Sequence, residues 1–270
     1  MSAQTLIRSL IATFSLLCTF TAFAQQAAPH KPQPLCQSEC AMLIKAKRGD
    51  YVYQYNHQRI SRRYTPFSSF KIANTLIALD SGKITSLNQP LTFDLTKYPV
   101  EKWWPKIWYQ APVDIRTAFQ SSALPVYQQL ALEMGAKTVQ QYVDQFDYGN
   151  KDISSGIDSF WLNGSIEISA AEQVELIANI EQQNYPLKAT TYSLFKQVML
   201  VEKTDDYALY AKTGTGPVGP KKYIGWYVGY IERADNTFYF AFNLDGTNFK
   251  GIVKERVPTA KKILKQQGLL

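Results

Sequence analysis

Three short runs rich in aromatic and β-branched residues, Tyr207–Lys212, Tyr223–Ile231 and Thr237–Leu244, crowd the last quarter of the chain, separated by Gly, Pro, Asp and Asn. Connections this short join antiparallel neighbours, because a parallel return needs a crossover of about a dozen residues or more. The pattern predicts an antiparallel meander followed by a helix from about Pro258 to Gln267. Near the other end, Tyr51–Tyr55 alternates like a strand. Helical patterns fill the middle at Ser68–Ser81, Ala111–Gly135, Ala136–Phe146 and Ala170–Glu181. In the first of these, Phe70, Ile72, Ala73, Leu76, Ile77 and Leu79 form a broad apolar face, and Gly82 is placed to end the helix. The predicted fold class is α/β: an antiparallel sheet flanked by helices, with an inserted mainly helical lobe over about residues 68–191.

The leading segment is set aside from this fold. Met1–Ala24 has a single cation, Arg8, a mainly apolar stretch from Leu10 to Phe23, and a small-x-small end at Ala22-Phe23-Ala24. These features predict a cleaved secretory signal. Thr13, Ser15, Thr19 and Thr21 interrupt the apolar stretch, which disfavours a retained membrane span, and Leu17 disfavours lipidation at Cys18. The expected mature protein is one domain, Gln25–Leu270, located in the periplasm and without a membrane attachment.

Composition then removes further classes. The formal net charge of +7 is not gathered into runs, and Lys221-Lys222 and Lys261-Lys262 are simple pairs, so no nucleic-acid partner is expected. After signal removal two cysteines remain, Cys36 and Cys40, for which a local disulfide is the leading expectation in an oxidising compartment. The loop it closes is too short to add much stability. His30 and His57 form no ligand spacing with them, and no metal is expected.

Three motifs carry chemistry. In Ser68-Ser69-Phe70-Lys71 the three-residue spacing puts a hydroxyl and an amine on one helical face, pairing a weak nucleophile with a base. Apolar neighbours Phe67, Phe70 and Ile72, together with the helix dipole, would lower the lysine pKa, and a neutral lysine can take up carbon dioxide as a carbamate. Alone the motif is a weak signal, better read as a Ser68 cap beside a surface lysine. Lys212-Thr213-Gly214 ends a strand before a Gly/Pro region and offers an edge backbone, a hydroxyl and a close approach, or else a simple hairpin turn. Ser122-Ala123-Leu124, before Pro125-Val126-Tyr127, offers a hydroxyl that could relay a proton to a leaving nitrogen, or else a helix cap. All three in this order are much less expected by chance than any one.

With these motifs, and with Pro66-Phe67-Ser68-Ser69-Phe70-Lys71-Ile72, Pro125-Val126-Tyr127-Gln128, Tyr148-Gly149-Asn150, Phe160-Trp161-Leu162 and Ile224-Gly225-Trp226-Tyr227-Val228-Gly229, the chain resembles the penicilloyl-serine transferases, and among them the class D (oxacillinase-type) serine β-lactamases. The resemblance implies that Ser68 is the acylated nucleophile and that Lys71, as N6-carboxylysine, is the general base of both half-reactions. It implies that Ser122 passes protons to the β-lactam nitrogen, that the Trp161 indole holds the carbamate, and that Lys212 completes an electropositive site. Thr213, Gly214 and Thr215 would line the substrate, with the backbone N–H groups of Ser68 and Thr215 as the oxyanion hole. Tyr148-Gly149-Asn150 is expected to be structural. No cofactor is implied beyond the carbon dioxide or bicarbonate that carboxylates the lysine. The expected partners are small-molecule β-lactams, and monomer and homodimer both remain open.

Two positions depart from the family pattern. Leu124 stands where Val is usual, adding a methylene near the expected carbamate. For the substrate carboxylate, an ungapped count back from Leu264 selects Arg256, whereas matching Val257-Pro258 selects Lys254; Arg256 is preferred because a guanidinium binds a carboxylate bidentately. Trp103, Trp104 and Trp108 lie where the family often places residues bordering the cleft, but aromatic packing is the commoner use of tryptophan, and they are left out of the expected site.

Rival readings are weaker. Class A would require Asp and Asn in the middle motif, and class C enzymes are considerably larger. A transpeptidase lacks efficient deacylation, and Phe160-Trp161-Leu162 favours the carbamate version. A sensor domain that stays acylated would follow a membrane region, where this chain offers an N-terminal signal, and a non-catalytic binder would not retain Ser68, Lys71, Ser122, Trp161 and Lys212 together.

Overall fold

The computed structural model describes residues 35–270; the signal-like segment and Cys18 lie outside the described residues. Strand β1 (Cys40–Ala46) and strand β2 (Val52–Tyr55) form a hairpin, followed by a one-turn helix α1 (His57–Ile60). A 3-10 turn at Phe67–Phe70 leads into α2 (Lys71–Asp80), and after a long loop come α3 (Ile115–Gln120), α4 (Leu124–Met134), α5 (Ala136–Gln145), α6 (Ala170–Glu181) and α7 (Ala189–Met199). Then β3 (Leu200–Lys203), β4 (Tyr207–Gly219), β5 (Lys222–Arg233) and β6 (Thr237–Gly246) precede α8 (Phe249–Gln266). The six strands form one antiparallel sheet in the order β2-β1-β6-β5-β4-β3.

Both faces of this sheet are covered, and the period of two along each strand sorts the core into two layers. Met42, Ile44, Tyr227, Ile231, Phe240 and Phe242 pack with Ala260, Ile263 and Leu264 of α8. The alternate residues Ala41, Leu43, Trp226, Val228, Tyr239 and Ala241 join Val174 and Ile177 of α6 and the other helices. α6 packs on the sheet, and α2 contacts α4, α5 and α7, which builds the helical part. Cys36 and Cys40 form the expected disulfide, with Cα atoms 6.2 Å apart.

Four features differ from the sequence reading. β1 is not predicted, because Cys40–Ile44 is buried at every position under two covering layers and shows no alternation to read. α7 and β3 are also missed. The expected helix Ala111–Gly135 is two helices, broken where Ser122 adopts a left-handed φ of 59°. Pro125, in the first turn of α4, is the sequence signal for that restart. The last helix begins at Phe249, so Pro258 lies inside it; Pro258 and Lys254 are both exposed, which leaves the missing backbone bond on the solvated side.

Candidate active site

Ser68 stands half-buried in the 3-10 turn, one residue after Phe67 at φ 49°. A left-handed backbone costs an ordinary residue about 1–2 kcal/mol, so the turn needs external support. Ser69 supplies it, its N–H and hydroxyl both donating to Pro66 O at 3.1 and 2.8 Å, while Gln173 Nε2 of α6 donates to Ser69 Oγ at 2.9 Å. Ser68 is therefore in the body of a supported turn and caps no helix.

β4 closes the other side. Its pairing with β3 ends at Tyr210, so from Ala211 onward its outer edge has no strand partner among the described residues, and the Pro66–Ser69 turn packs there. That approach requires glycine: a Cβ at Gly214 would lie 2.5 Å from Pro66 O, and one at Gly216 would lie 2.0 Å from the Phe67 ring. Lys212-Thr213-Gly214 is thus interior to a 13-residue strand, and the hairpin-turn reading is corrected. Gly214 sits in strand conformation because the backbone of the turn approaches it closely, and Gly216 because the Phe67 ring does, which local propensity cannot report.

Three cations converge here. Lys71 Nζ lies 3.1 Å from Ser68 Oγ and 4.9 Å from the centre of the Tyr127 ring. Lys71 is buried, and burial lowers its pKa to about 7. Lys212 is also buried, held well below the ordinary lysine range first by burial and then by the charges of Lys71 and Arg256. Its Nζ donates to Ser122 Oγ at 2.5 Å and to Thr213 O at 3.0 Å. Arg256 is half-buried with Nε and Nη1 lacking partners, and burial lowers it to about 10. Among the described residues, no acidic side chain lines the cleft, of about 410 Å³, that holds Ser68, Ser122, Thr213, Gly214, Thr215 and Arg256. Lys254 is exposed and does not line it.

Behind the nucleophile, Trp161 is fully buried, stacked on Phe70 with ring centres 5.6 Å apart, and its indole N–H has no partner. Tyr148 and Phe160 contact the same Phe70 ring edge-on. The next residues of the Tyr148 motif act on the backbone: Asn150 Nδ2 donates to Ser165 O at 2.7 Å and its Oδ1 accepts from Glu167 N at 2.9 Å. Leu124 is half-buried and lines the cleft beside Ser122.

The aromatic-packing assignment holds for Trp104 and Trp108, both buried in the core with their rings in contact, whereas Trp103 is 61% exposed; Trp103 and Trp108 also line the cleft. Phe249 and Val253 of α8, absent from the sequence prediction, line it as well.

A hydroxyl with a nitrogen base at 3.1 Å, a second hydroxyl on a buried cation, and an unpaired guanidinium form a site suited to acyl transfer from an anionic substrate. Residues 39–265 match the family model described as penicillin binding protein transpeptidase domain. The chain is 35% identical to the β-lactamase OXA-5 of Pseudomonas aeruginosa over 80% of this chain and 79% of that protein. Its fold is similar to that of FUS-1 (OXA-85), a class D β-lactamase from Fusobacterium nucleatum subsp. polymorphum, with a TM-score of 0.79, 34% identity, and 86% and 94% of the two chains covered. It is also similar to the C-terminal domain of the Bacillus licheniformis BlaR penicillin-receptor, with a TM-score of 0.77, 28% identity, and 85% and 90% covered. On motif, fold and site together, the chain belongs to the class D β-lactamases.

Proposed function

We propose that this β-lactamase opens the β-lactam ring of penicillin-type antibiotics through an acyl-Ser68 intermediate and hydrolyses that ester with an N-carboxylated Lys71 as the general base. The observation that carries the reading is the contact of the buried Lys71 with the half-buried Ser68 at 3.1 Å, with the lysine pKa lowered to about 7 by burial. At neutral pH a substantial fraction of this amine is then uncharged, the state that carbon dioxide requires. Bound there, carbon dioxide would supply a carboxylate base, for which the unpartnered Trp161 N–H is a buried donor.

The remaining steps belong to the chain itself. Ser68 Oγ attacks the lactam carbonyl carbon and its proton passes to the end of the Lys71 side chain. The carbonyl oxygen takes up negative charge facing the Ser68 and Thr215 backbone N–H groups. As the C–N bond breaks, Ser122 gives a proton to the lactam nitrogen and is resupplied from Lys212 Nζ, 2.5 Å away. Arg256, with two unpaired nitrogens, takes the substrate carboxylate. Secretion to the periplasm through the Met1–Ala24 segment completes the reading.

The similarity to the BlaR penicillin-receptor domain favours a second reading, in which Ser68 is acylated and not released. A time course of a chromogenic cephalosporin, with and without bicarbonate, separates the two. Sustained turnover that rises with bicarbonate supports the hydrolase; one stoichiometric burst under both conditions supports the receptor.

A further inference from the structure

The loop that delivers Ser122 is fastened by a residue distant from the three motifs. Trp108 ends a 3-10 turn at Lys106–Trp108, is 6% exposed, and donates its indole N–H to Ser121 O at 3.1 Å. That carbonyl belongs to the peptide joining Ser121 to Ser122. The N–H end of the same peptide donates from Ser122 N to Phe119 O at 3.1 Å. Both ends of one peptide plane are thus tethered, and the plane sets φ of Ser122 at 59°.

This conformation is unfavourable for serine, and it is what brings Oγ to Lys212 Nζ. On the preceding residue, Gln120 Nε2 donates to Val198 O and Leu200 O at 3.0 and 3.1 Å, anchoring the end of α3. Gln120 does not touch the Ser121–Ser122 peptide itself, whose carbonyl side is held by the Trp108 bond.

We infer that Trp108 is a positioning residue for acylation: its N–H holds the Ser121 carbonyl and thereby keeps the Ser122 hydroxyl on Lys212, in the place from which a proton reaches the lactam nitrogen. The inference rests on the proton-relay role proposed for Ser122. Trp108 also lines the cleft, so a direct contact with substrate is the competing explanation.

A double-mutant cycle decides between them. Pre-steady-state kinetics with a chromogenic cephalosporin would be run on the full enzyme and on Trp108→Phe, Ser122→Ala and the double variant, giving the saturating acylation rate and the substrate dissociation constant separately. Trp108→Phe is expected to lower the acylation rate about tenfold, a fraction of what general acid catalysis contributes, with the dissociation constant little changed. In the Ser122→Ala background the same substitution is expected to change neither. An equal loss in both backgrounds, or a loss confined to the dissociation constant, overturns the inference in favour of direct contact or general packing. Acylation at the full rate in Ser122→Ala alone would bring down the proton-relay reading, and this inference with it, and the single variant identifies that failure. If Trp108→Phe does not fold, benzothienylalanine at position 108, which keeps the ring shape and lacks the N–H, is put through the same cycle with the same criteria.

Discussion

Lys212 Nζ and Ser122 Oγ, ninety positions apart in the chain, lie 2.5 Å from one another. The lysine comes from the interior of β4 and the serine from the left-handed break between α3 and α4, so neither local segment contains the contact. With Lys71 and Arg256 nearby and no acidic residue lining the cleft, the site is electropositive and under-solvated before substrate arrives. An anionic substrate relieves that repulsion.

Lys71 makes both stability and activity depend on pH. Its pKa falls from an ordinary 10.5 to about 7 on folding, so between those values the unfolded chain binds more protons than the folded one. Stability therefore rises with pH across that window, by up to about 1.4 kcal/mol per pH unit for one group. Denaturant unfolding in carbonate-free buffer at several pH values from 7.5 to about 9.5 should show this slope, and Lys71→Met should reduce it by about one proton. Activity should fall as pH drops below about 7, where the amine becomes protonated.

Leu124→Val removes one methylene from the cleft wall beside Ser122. If that methylene crowds the carbamate, the variant should reach half-maximal turnover at a lower bicarbonate concentration than the parent. Titrating bicarbonate against steady-state rate checks this, and an unchanged curve would clear Leu124 of the effect.

Arg256→Ala should weaken binding of substrates that carry a carboxylate by about 10- to 100-fold, the equivalent of about 1.5–3 kcal/mol for hydrogen bonds to a charged group. Arg256→Lys should recover only part of it, because an ammonium cannot reproduce the bidentate geometry. Lys254, exposed and outside the cleft, should tolerate Ala with little change. Steady-state KM for all three variants checks the assignment.

Gly214→Ala would place a Cβ 2.5 Å from Pro66 O and 3.0 Å from Ser69 N, both backbone atoms of the turn that carries the nucleophile. The turn must shift, at about 1–3 kcal/mol in stability. Because misplacement by about 1 Å can cost 100-fold, acylation should suffer more than folding does. Thermal unfolding and acylation rate, measured on the same preparation, separate the two.

The chain's own periodicity determined the meander and most of the helices around it: β4, β5 and β6 contain the three aromatic runs, and α6 has the predicted bounds Ala170–Glu181. Those features rest on interactions between near neighbours, alternation across a strand and apolar spacing along a helix, so a linear pattern carries them. The motif residues were legible for the same reason, each being a short run with a fixed spacing. Tertiary structure alone decided the rest. β1 was illegible because its burial on both faces is imposed by helices far away in sequence. Gly214 and Gly216 read as turn residues until the Pro66–Ser69 turn is packed against them. Arg256, already preferred over Lys254 in the sequence, lies on the side of α8 that faces the cleft, and the fold of a loop exposes Trp103 while burying Trp104 and Trp108. The direction of the Lys71 shift was readable from its apolar neighbours in sequence, but its extent, to about 7, comes from full burial, and desolvation is a property of the assembled interior that no single segment possesses.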